Sequence, residues 1–274
     1  TKTIMKGKCD FSKSTPEGSN VQFGVREHAM TAIANGVALH GGLRIYISGF
    51  FVFGDYMKPS LRLAALMGLP VISILTHDSI GVGEDGPTHQ PIEHLASLRS
   101  IPNFTVIRPC DSNETSAAWY LALTRNTSPT AIVLTRQNLK LLKESGKEAI
   151  KGGYILRDSD NPDIILMASG SEVELVYNAY DELVKKGLRP RVVSMPSLEV
   201  FEEQSDEYKE SVLPKNIRKR IAVEAASSIC WHKYVGFDGD IISMDTFGAS
   251  APAGKLFNKF GFTVDNVVEK ALKL

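Results

Sequence analysis

The chain is short of cysteine and carries no surplus of charge of either sign. Only Cys9, Cys110 and Cys230 occur, far apart in sequence. That spacing excludes a disulfide framework and a cysteine-based metal knuckle, and it suits a reducing cytoplasm. Lysine plus arginine and aspartate plus glutamate each total 31, which leaves no net field to draw nucleic acid or an anionic membrane surface. No apolar run approaches the about 20 residues that a membrane-spanning helix requires. No segment reads as a signal peptide, and internal repeats and low-complexity tracts are absent. The expectation is a soluble cytoplasmic protein whose partners include neither nucleic acid nor membrane, and any binding of anions must come from local placement of side chains.

What is present is an alternation of apolar runs and amphipathic stretches. With 274 residues the chain is at the size, about 250 to 300 residues, where one hydrophobic core stops growing and a second begins. Apolar runs at residues 44–48, 71–76, 104–107 and 131–134 read as strands of a first domain, residues 1–138. A polar linker, residues 139–152, carries four lysines and two glutamates between Lys140 and Lys151. In the second domain, residues 153–274, a strand at 163–168 leads to a helix capped by Ser171 and running from Glu172 to near Lys186. A strand at 191–195 follows, then strands at 220–224 and 240–244 and a last helix over 264–272. The fold class expected is α/β: two domains, each a mainly parallel sheet with helices on both faces.

The richest stretch is residues 76–93, where two histidines, four acids and three glycines follow the apolar run Leu69-Pro-Val-Ile-Ser-Ile-Leu75. Ligands of parallel sheets bind beyond the carboxyl ends of the strands, which is where this loop begins. Three readings compete. Gly81-Val-Gly-Glu-Asp-Gly86 has the dinucleotide-loop spacing, but Glu84 and Asp85 would oppose a pyrophosphate and Pro87 follows at once. A metal site drawn from His77, Asp85, His89 and Glu93, or from His94, matches no established zinc spacing. A sugar or sugar-phosphate site uses the same imidazoles and carboxylate to bind hydroxyls and phosphate.

Two further features bear on that choice. Glu27 stands at the start of a small-residue, apolar helix, either paired with Arg26 or the helix terminus, or held as a chemical group in a desolvated site. Phe50, Phe53 and Tyr56, spaced i, i+3 and i+6, share one face of an expected helix. They read as core, or as a wall on which a flat heteroaromatic ring stacks. A wall of that kind beside a buried carboxylate suits thiamine diphosphate.

The segments Gly24-Val-Arg-Glu-His-Ala-Met30, residues 76–93, Arg108-Pro-Cys-Asp-Ser-Asn-Glu114, Arg136-Gln-Asn-Leu139, Gly170-Ser-Glu-Val173, Val193-Ser-Met-Pro-Ser197 and Asp245-Thr-Phe-Gly-Ala-Ser250 together resemble the transketolases from end to end of the chain. The resemblance implies that Glu27 hydrogen-bonds the aminopyrimidine ring of thiamine diphosphate and favours the imino tautomer that deprotonates the thiazolium C2 carbon. Phe50, Phe53 and Tyr56 would surround that ring, with Phe53 the stacking partner. His77 and Arg136 would hold the substrate phosphate, Asp85 a sugar hydroxyl, and His89 the reacting carbonyl end, where it could also move a proton. His28 reads equally as a contact near the cofactor or as packing.

The same resemblance exposes what is missing. The diphosphate of the cofactor is held through Mg2+ by a Gly-Asp-Gly segment and a later asparagine, and no Gly-Asp-Gly occurs in the chain. The histidine-rich diphosphate-binding half and the Ser-Ala-Asp-Leu segment of the pyrimidine-binding domain are absent too. The expected protein is therefore the C-terminal part of a transketolase, a fragment or one half of a split enzyme, inactive alone. The expected assembly is a homodimer that acts on sugar phosphates, with no metal ligands of its own. The reaction implied is transfer of a two-carbon ketol unit from a ketose phosphate to an aldose phosphate through a thiamine diphosphate enamine. Two alternatives stand beside it: a related thiamine enzyme such as dihydroxyacetone synthase, and a noncatalytic dimerisation or binding module. In the second domain, Gly170-Ser171 reads as an ordinary N-cap before an anion site, and Trp231-His232-Lys-Tyr234 as a contact patch.

Overall fold

A computed structural model describes residues 3–274 of the chain. Strands β1 (Tyr46–Phe50), β2 (Ile72–Thr76), β3 (Thr105–Ile107) and β4 (Thr130–Leu134) form one sheet in the order β1-β2-β4-β3, parallel throughout. Their residues are apolar on both faces because helices cover both sides. These are α1 (Glu27–His40), α2 (Gly54–Leu66), α3 (His94–Arg99) and α4 (Ser112–Thr124). Helix α4 starts where the Asp111 carboxylate accepts the Glu114 amide at 3.0 Å, a side-chain cap for a donor the helix itself cannot satisfy.

Beyond a short 3-10 turn, Lys147–Lys151, come β5 (Tyr154–Arg157), β6 (Ile164–Ala168), β7 (Pro190–Ser194), β8 (Arg220–Val223) and β9 (Asp240–Ile242), in the order β5-β7-β6-β8-β9. Strand β5 is antiparallel to β7 and the other pairs are parallel. Helices α5 (Glu172–Lys185), α6 (Leu198–Glu202), α7 (Asp206–Val212), α8 (His232–Val235), α9 (Ala253–Lys259) and α10 (Val264–Lys273) flank this sheet. The architecture is the α/β class expected. Among the described residues no helix is long and apolar enough to cross a membrane.

Three expectations are corrected. Strand β5 has no counterpart in the sequence reading. Phe50, Phe53 and Tyr56 do not share a helix: Phe50 ends β1, Phe53 ends a 3-10 turn and Tyr56 lies in the first turn of α2. Ser171 occupies the N-cap position of α5 but does not cap it, because its hydroxyl donates to the Glu172 carboxylate at 2.5 Å.

The two sheets are joined by buried charge. Arg108, just past β3, is fully buried; its Nε donates to Asp78 at 2.8 Å, and its Nη1 to Glu172 at 2.5 Å and to the Ser169 carbonyl at 2.9 Å. Glu224, past β8, accepts from Arg99 Nη1 and Nη2 at 2.8 and 2.9 Å, from the Ser169 hydroxyl at 2.5 Å and from the Trp231 indole at 2.9 Å. Burial pushes the Glu224 carboxyl up, but the charges and hydrogen bonds of the arginines outweigh it and hold the group at about 2. Glu114 sits in the opposite setting. It accepts from Cys110 N, Tyr154 Oη and the Ser194 hydroxyl, no ion pair reaches it among the described residues, and burial raises it above the usual carboxylate range. Ile80, Ile92, Cys110 and Ala117 join residues of the second sheet in one apolar cluster, so the interface is packed like a core.

Arg108→Met leaves Asp78 and Glu172 buried and unpaired and is expected to cost about 3 to 5 kcal/mol in urea unfolding. Because the folded pKa of Glu224 lies below its unfolded value of 4.5, its contribution is present above that pH and is lost as the pH falls toward about 2. Urea midpoints measured between pH 5 and pH 3 should drop, and drop less in Glu224→Gln.

Candidate functional site

The carboxyl ends of β1, β2 and β4 lie in register, with Phe50 opposite Thr76 and Thr76 opposite Leu134. The residues that follow these ends converge. The Phe50 ring stacks on the His77 ring at 3.7 Å and 17°. Phe50 and Phe53 lie parallel at 6.2 Å, Phe53 meets Tyr56 at 6.3 Å, and His89 meets Phe53 edge-on at 5.6 Å. The result is a ladder of five rings along the sheet edge. Phe50, Phe53, His77 and His89 are half-buried and Tyr56 is exposed, whereas the neighbouring Phe51 is fully buried. The fully buried core position is that of Phe51, while of the three aromatics singled out from the sequence Phe50 and Phe53 are partly buried and Tyr56 is exposed.

His77 has a left-handed backbone (φ 65°), a costly conformation for a residue with a side chain. It is held there from both sides: its Nδ1 lies 2.9 Å from the Thr76 hydroxyl, and Asp78, the next residue, is tied to buried Arg108. Burial and then the charge of Arg136 lower the His77 imidazole below its ordinary range, against the opposing charges of Asp85 and Asp78. A neutral ring beside an exposed guanidinium can donate or accept one hydrogen bond while the arginine supplies the charge.

Asp85 ends a 3-10 stretch, Ile80–Asp85, that starts at Ser79 and is kinked at Gly83 (φ 86°). It is exposed, and among the described residues it makes no hydrogen bond. The segment opens no helix, since the next one begins at His94. That removes the dinucleotide reading. The loop metal reading is narrowed: among the described residues, the group close enough to share an ion is Asp55, Glu93 and His94, which keeps Glu93 and His94 of that reading but not His77, Asp85 or His89. His94 is buried with its Nε2 3.2 Å from Asp55, and Lys58 lines the same small hollow.

Glu27 begins α1, half-buried, and among the described residues no hydrogen bond or ion pair reaches its carboxylate. The Arg26 guanidinium goes instead to the Phe23 carbonyl at 2.8 Å, so the pairing with Arg26 is absent. His28 lies 3.4 Å from the Ser60 hydroxyl and Asn35 donates to the Ser60 carbonyl at 2.8 Å, which fixes α1 against α2. Ring contacts thus join His77, Phe50, Phe53, Tyr56 and His89; charge links Arg136 and Asp85 to His77; and Glu27 stands apart at the start of the helix packed on α2.

Asp78 lies in the acid-rich stretch and Arg108 heads the segment 108–114 already singled out, but their pairing was missed from the sequence. Gln90 was missed too. It is buried, with its amide donating to the Gly83 carbonyl at 3.0 Å and to the Ala249 carbonyl at 2.9 Å.

Known proteins resemble this chain in sequence and in fold. Residues 1–140 match the family model of the transketolase pyrimidine-binding domain, and residues 152–263 that of the transketolase-like C-terminal domain. A transketolase of Bacillus subtilis is 54% identical over 279 residues, covering 100% of this chain but only 42% of its own length. A solved transketolase of Pichia stipitis in complex with sedoheptulose 7-phosphate is 44% identical with a TM-score of 0.95, over 99% of this chain and 40% of that one. A split-gene transketolase, described as an inactive β4 tetramer, is alike in fold alone: 22% identity and a TM-score of 0.77 over 96% of this chain and 86% of that one.

Because the Arg136 charge lowers His77, Arg136→Gln should move the imidazole titration, followed by NMR of the ring protons, to higher pH than in the unaltered chain.

Proposed function

The chain belongs to the transketolase family, and on that footing we propose that it supplies the pyrimidine-binding and sugar-binding side of a ketol-transfer site, completed by a diphosphate-binding part outside it. In this reading residues 1–138 are the pyrimidine-binding domain, 139–152 a linker and 153–274 the C-terminal domain. The observation that carries the proposal is the ladder of five rings at the sheet edge. It joins three aromatic rings to two imidazoles, with the charges of a carboxylate and a guanidinium acting on His77.

The residues fit the aminopyrimidine end of thiamine diphosphate. Half-buried Phe53 and exposed Tyr56 present ring surface, and the Glu27 carboxylate is free to bond a ring nitrogen. Nothing comparable serves the other end: with no Gly-Asp-Gly in the chain, the ligands of Mg2+ and diphosphate are assigned to the completing part. Thiamine diphosphate, when bound, supplies the acidic thiazolium carbon that takes up and releases the two-carbon unit.

The chain's own residues bind, orient and exchange protons. Glu27 shares a proton with the ring nitrogen, which selects the tautomer of the exocyclic amine. Phe50, Phe53 and Tyr56 orient the pyrimidine by its face and shield it from water. Arg136 grips the sugar phosphate in bidentate fashion, with the lowered His77 as its neutral second donor. Asp85 accepts a sugar hydroxyl. His89, edge-on to Phe53, reaches the carbonyl end of the sugar and moves a proton there. Val25, Ile33 and Leu39 of the α1 region and Leu63 and Leu66 of α2 are exposed. An apolar face of this kind is what a completing part or a second copy would cover. A sugar phosphate bound to the Pichia relative supports the substrate class.

The test is ketol transfer from xylulose 5-phosphate to ribose 5-phosphate with thiamine diphosphate and Mg2+, using the chain alone and mixed with a separately made diphosphate-binding half. Activity is expected in the mixture only, and Glu27→Gln should lower turnover there by about 100-fold or more. Near-full turnover of Glu27→Gln, or a preference for formaldehyde over ribose 5-phosphate as acceptor, would overturn the assignment.

A further inference from the structure

The loop that carries Asp85 and His89 is held from behind by the second domain. Gln90, 2% exposed, sends its amide to Gly83 O within the loop and to Ala249 O, 159 residues away in sequence, at 3.0 and 2.9 Å. The Ser250 hydroxyl donates to the Glu84 carbonyl at 2.5 Å. The fit is close. A Cβ on Gly248 would lie 1.8 Å from the Gln90 amide oxygen, and one on Gly86 would lie 3.3 Å from the Ser250 Cβ. Gly83 and Gly86 both have positive φ, and Gly83 backs onto Ala251 and Ala253, where α9 begins. Ile80, at the loop's start, shares an apolar cluster with Leu256 of α9.

Asp85 and His89 gain little support of their own. Asp85 makes no hydrogen bond among the described residues, and the one partner of the His89 ring is the adjacent Thr88 hydroxyl at 2.9 Å. Their positions are set by the backbone of residues 83–90. That backbone is fixed at two carbonyls, those of Gly83 and Glu84, by groups that bridge to or come from residues 249 and 250. The ring ladder holds His89 from the other side through Phe53. The wall on which the pyrimidine would stack lies in β1, the 3-10 turn and α2, to which, among the described residues, the second domain makes no hydrogen bond, although its Ala226 joins the apolar cluster of Phe51 and Met57.

We propose that Gln90 and Ser250 are positioning residues through which the second domain clamps the loop bearing Asp85 and His89, so that this domain sets affinity for the sugar phosphate but not for the cofactor. The proposal rests on the sugar-binding role given above to that loop. It assigns a task to the Asp245-Thr-Phe-Gly-Ala-Ser250 segment, which contributes no side chain to the ring ladder.

The test uses two readouts. Amide hydrogen exchange on the chain alone compares residues 80–90 with residues 27–40 in the unaltered protein, in Ser250→Ala and in Gln90→Met. Exchange over 80–90 is expected to quicken about three- to tenfold, as the loss of one or two net hydrogen bonds dictates, with 27–40 unchanged. Ser250 is exposed, so its variant remains folded even where Gln90→Met does not. In the mixture with the diphosphate-binding half, KM for xylulose 5-phosphate should rise about three- to tenfold while half-saturation by thiamine diphosphate stays fixed, and Ser250→Thr, which keeps the hydroxyl, should restore the unaltered KM. Unchanged exchange over 80–90, or equal weakening of sugar and cofactor, overturns the clamp. A mixture that stays inactive with unaltered protein refutes the catalytic reading of the preceding section; the exchange data then still decide between a clamped and an unclamped loop.

Discussion

Arg108 has no route to water, and every other feature of the interface accommodates that fact. A buried guanidinium must be met by anions and carbonyls in fixed directions, since unpaired it would cost several kcal/mol. Asp78 comes from the first sheet and Glu172 and Ser169 from the second, so the side chain cannot be satisfied unless both sheets are in place. Gly170 is part of the same constraint: its φ is 56°, and a Cβ there would lie 2.7 Å from the Arg108 guanidinium carbon. A buried ion cluster of this kind adds little net stability compared with an apolar replacement. What it supplies is orientation, and it does so next to the site, because Asp78 adjoins His77 and leaves that residue in a left-handed conformation.

The site follows from where parallel strands end. Phe50, Thr76 and Leu134 close three strands side by side, so the segments leaving them are brought within reach of one another. Within four residues the chain alternates between two tasks: Phe51 fills the core while Phe50 and Phe53 build a surface. Ring stacking then extends the surface to His77 and His89. In this way residues from two sheet-edge segments share one electrostatic environment with Arg136 of a third.

Much of this was legible in the sequence. Strands β2 and β6 are apolar at nearly every position, which only a sheet covered on both faces explains, and their ends were placed within a residue or two. The loop after β2 declared itself by its density of histidines, acids and glycines. Strand β5 escaped because Tyr154–Arg157 is short, with alternate residues only half-buried at an antiparallel edge, and it follows a lysine-rich stretch that reads as surface. The aromatic run misled because a spacing of three suits a helix, whereas the chain leaves a strand, makes one 3-10 turn and only then becomes helical. Arg108 and Gln90 were beyond reach for a different reason. Their partners lie about 60 and 160 residues away in the chain, and no local pattern encodes such distances.

The Cys110 thiol lies between the two sheets, 4% exposed and among the groups around Glu114, where burial and two nearby carboxylates keep it far from ionising. Cys9, by contrast, is exposed. A thiolate, not a thiol, attacks alkylating and disulfide reagents. The two thiols therefore report on different things: Cys9 is open to reagent in the folded chain, whereas reagent reaches Cys110 only through opening of the interface around Glu114, a readout of domain separation.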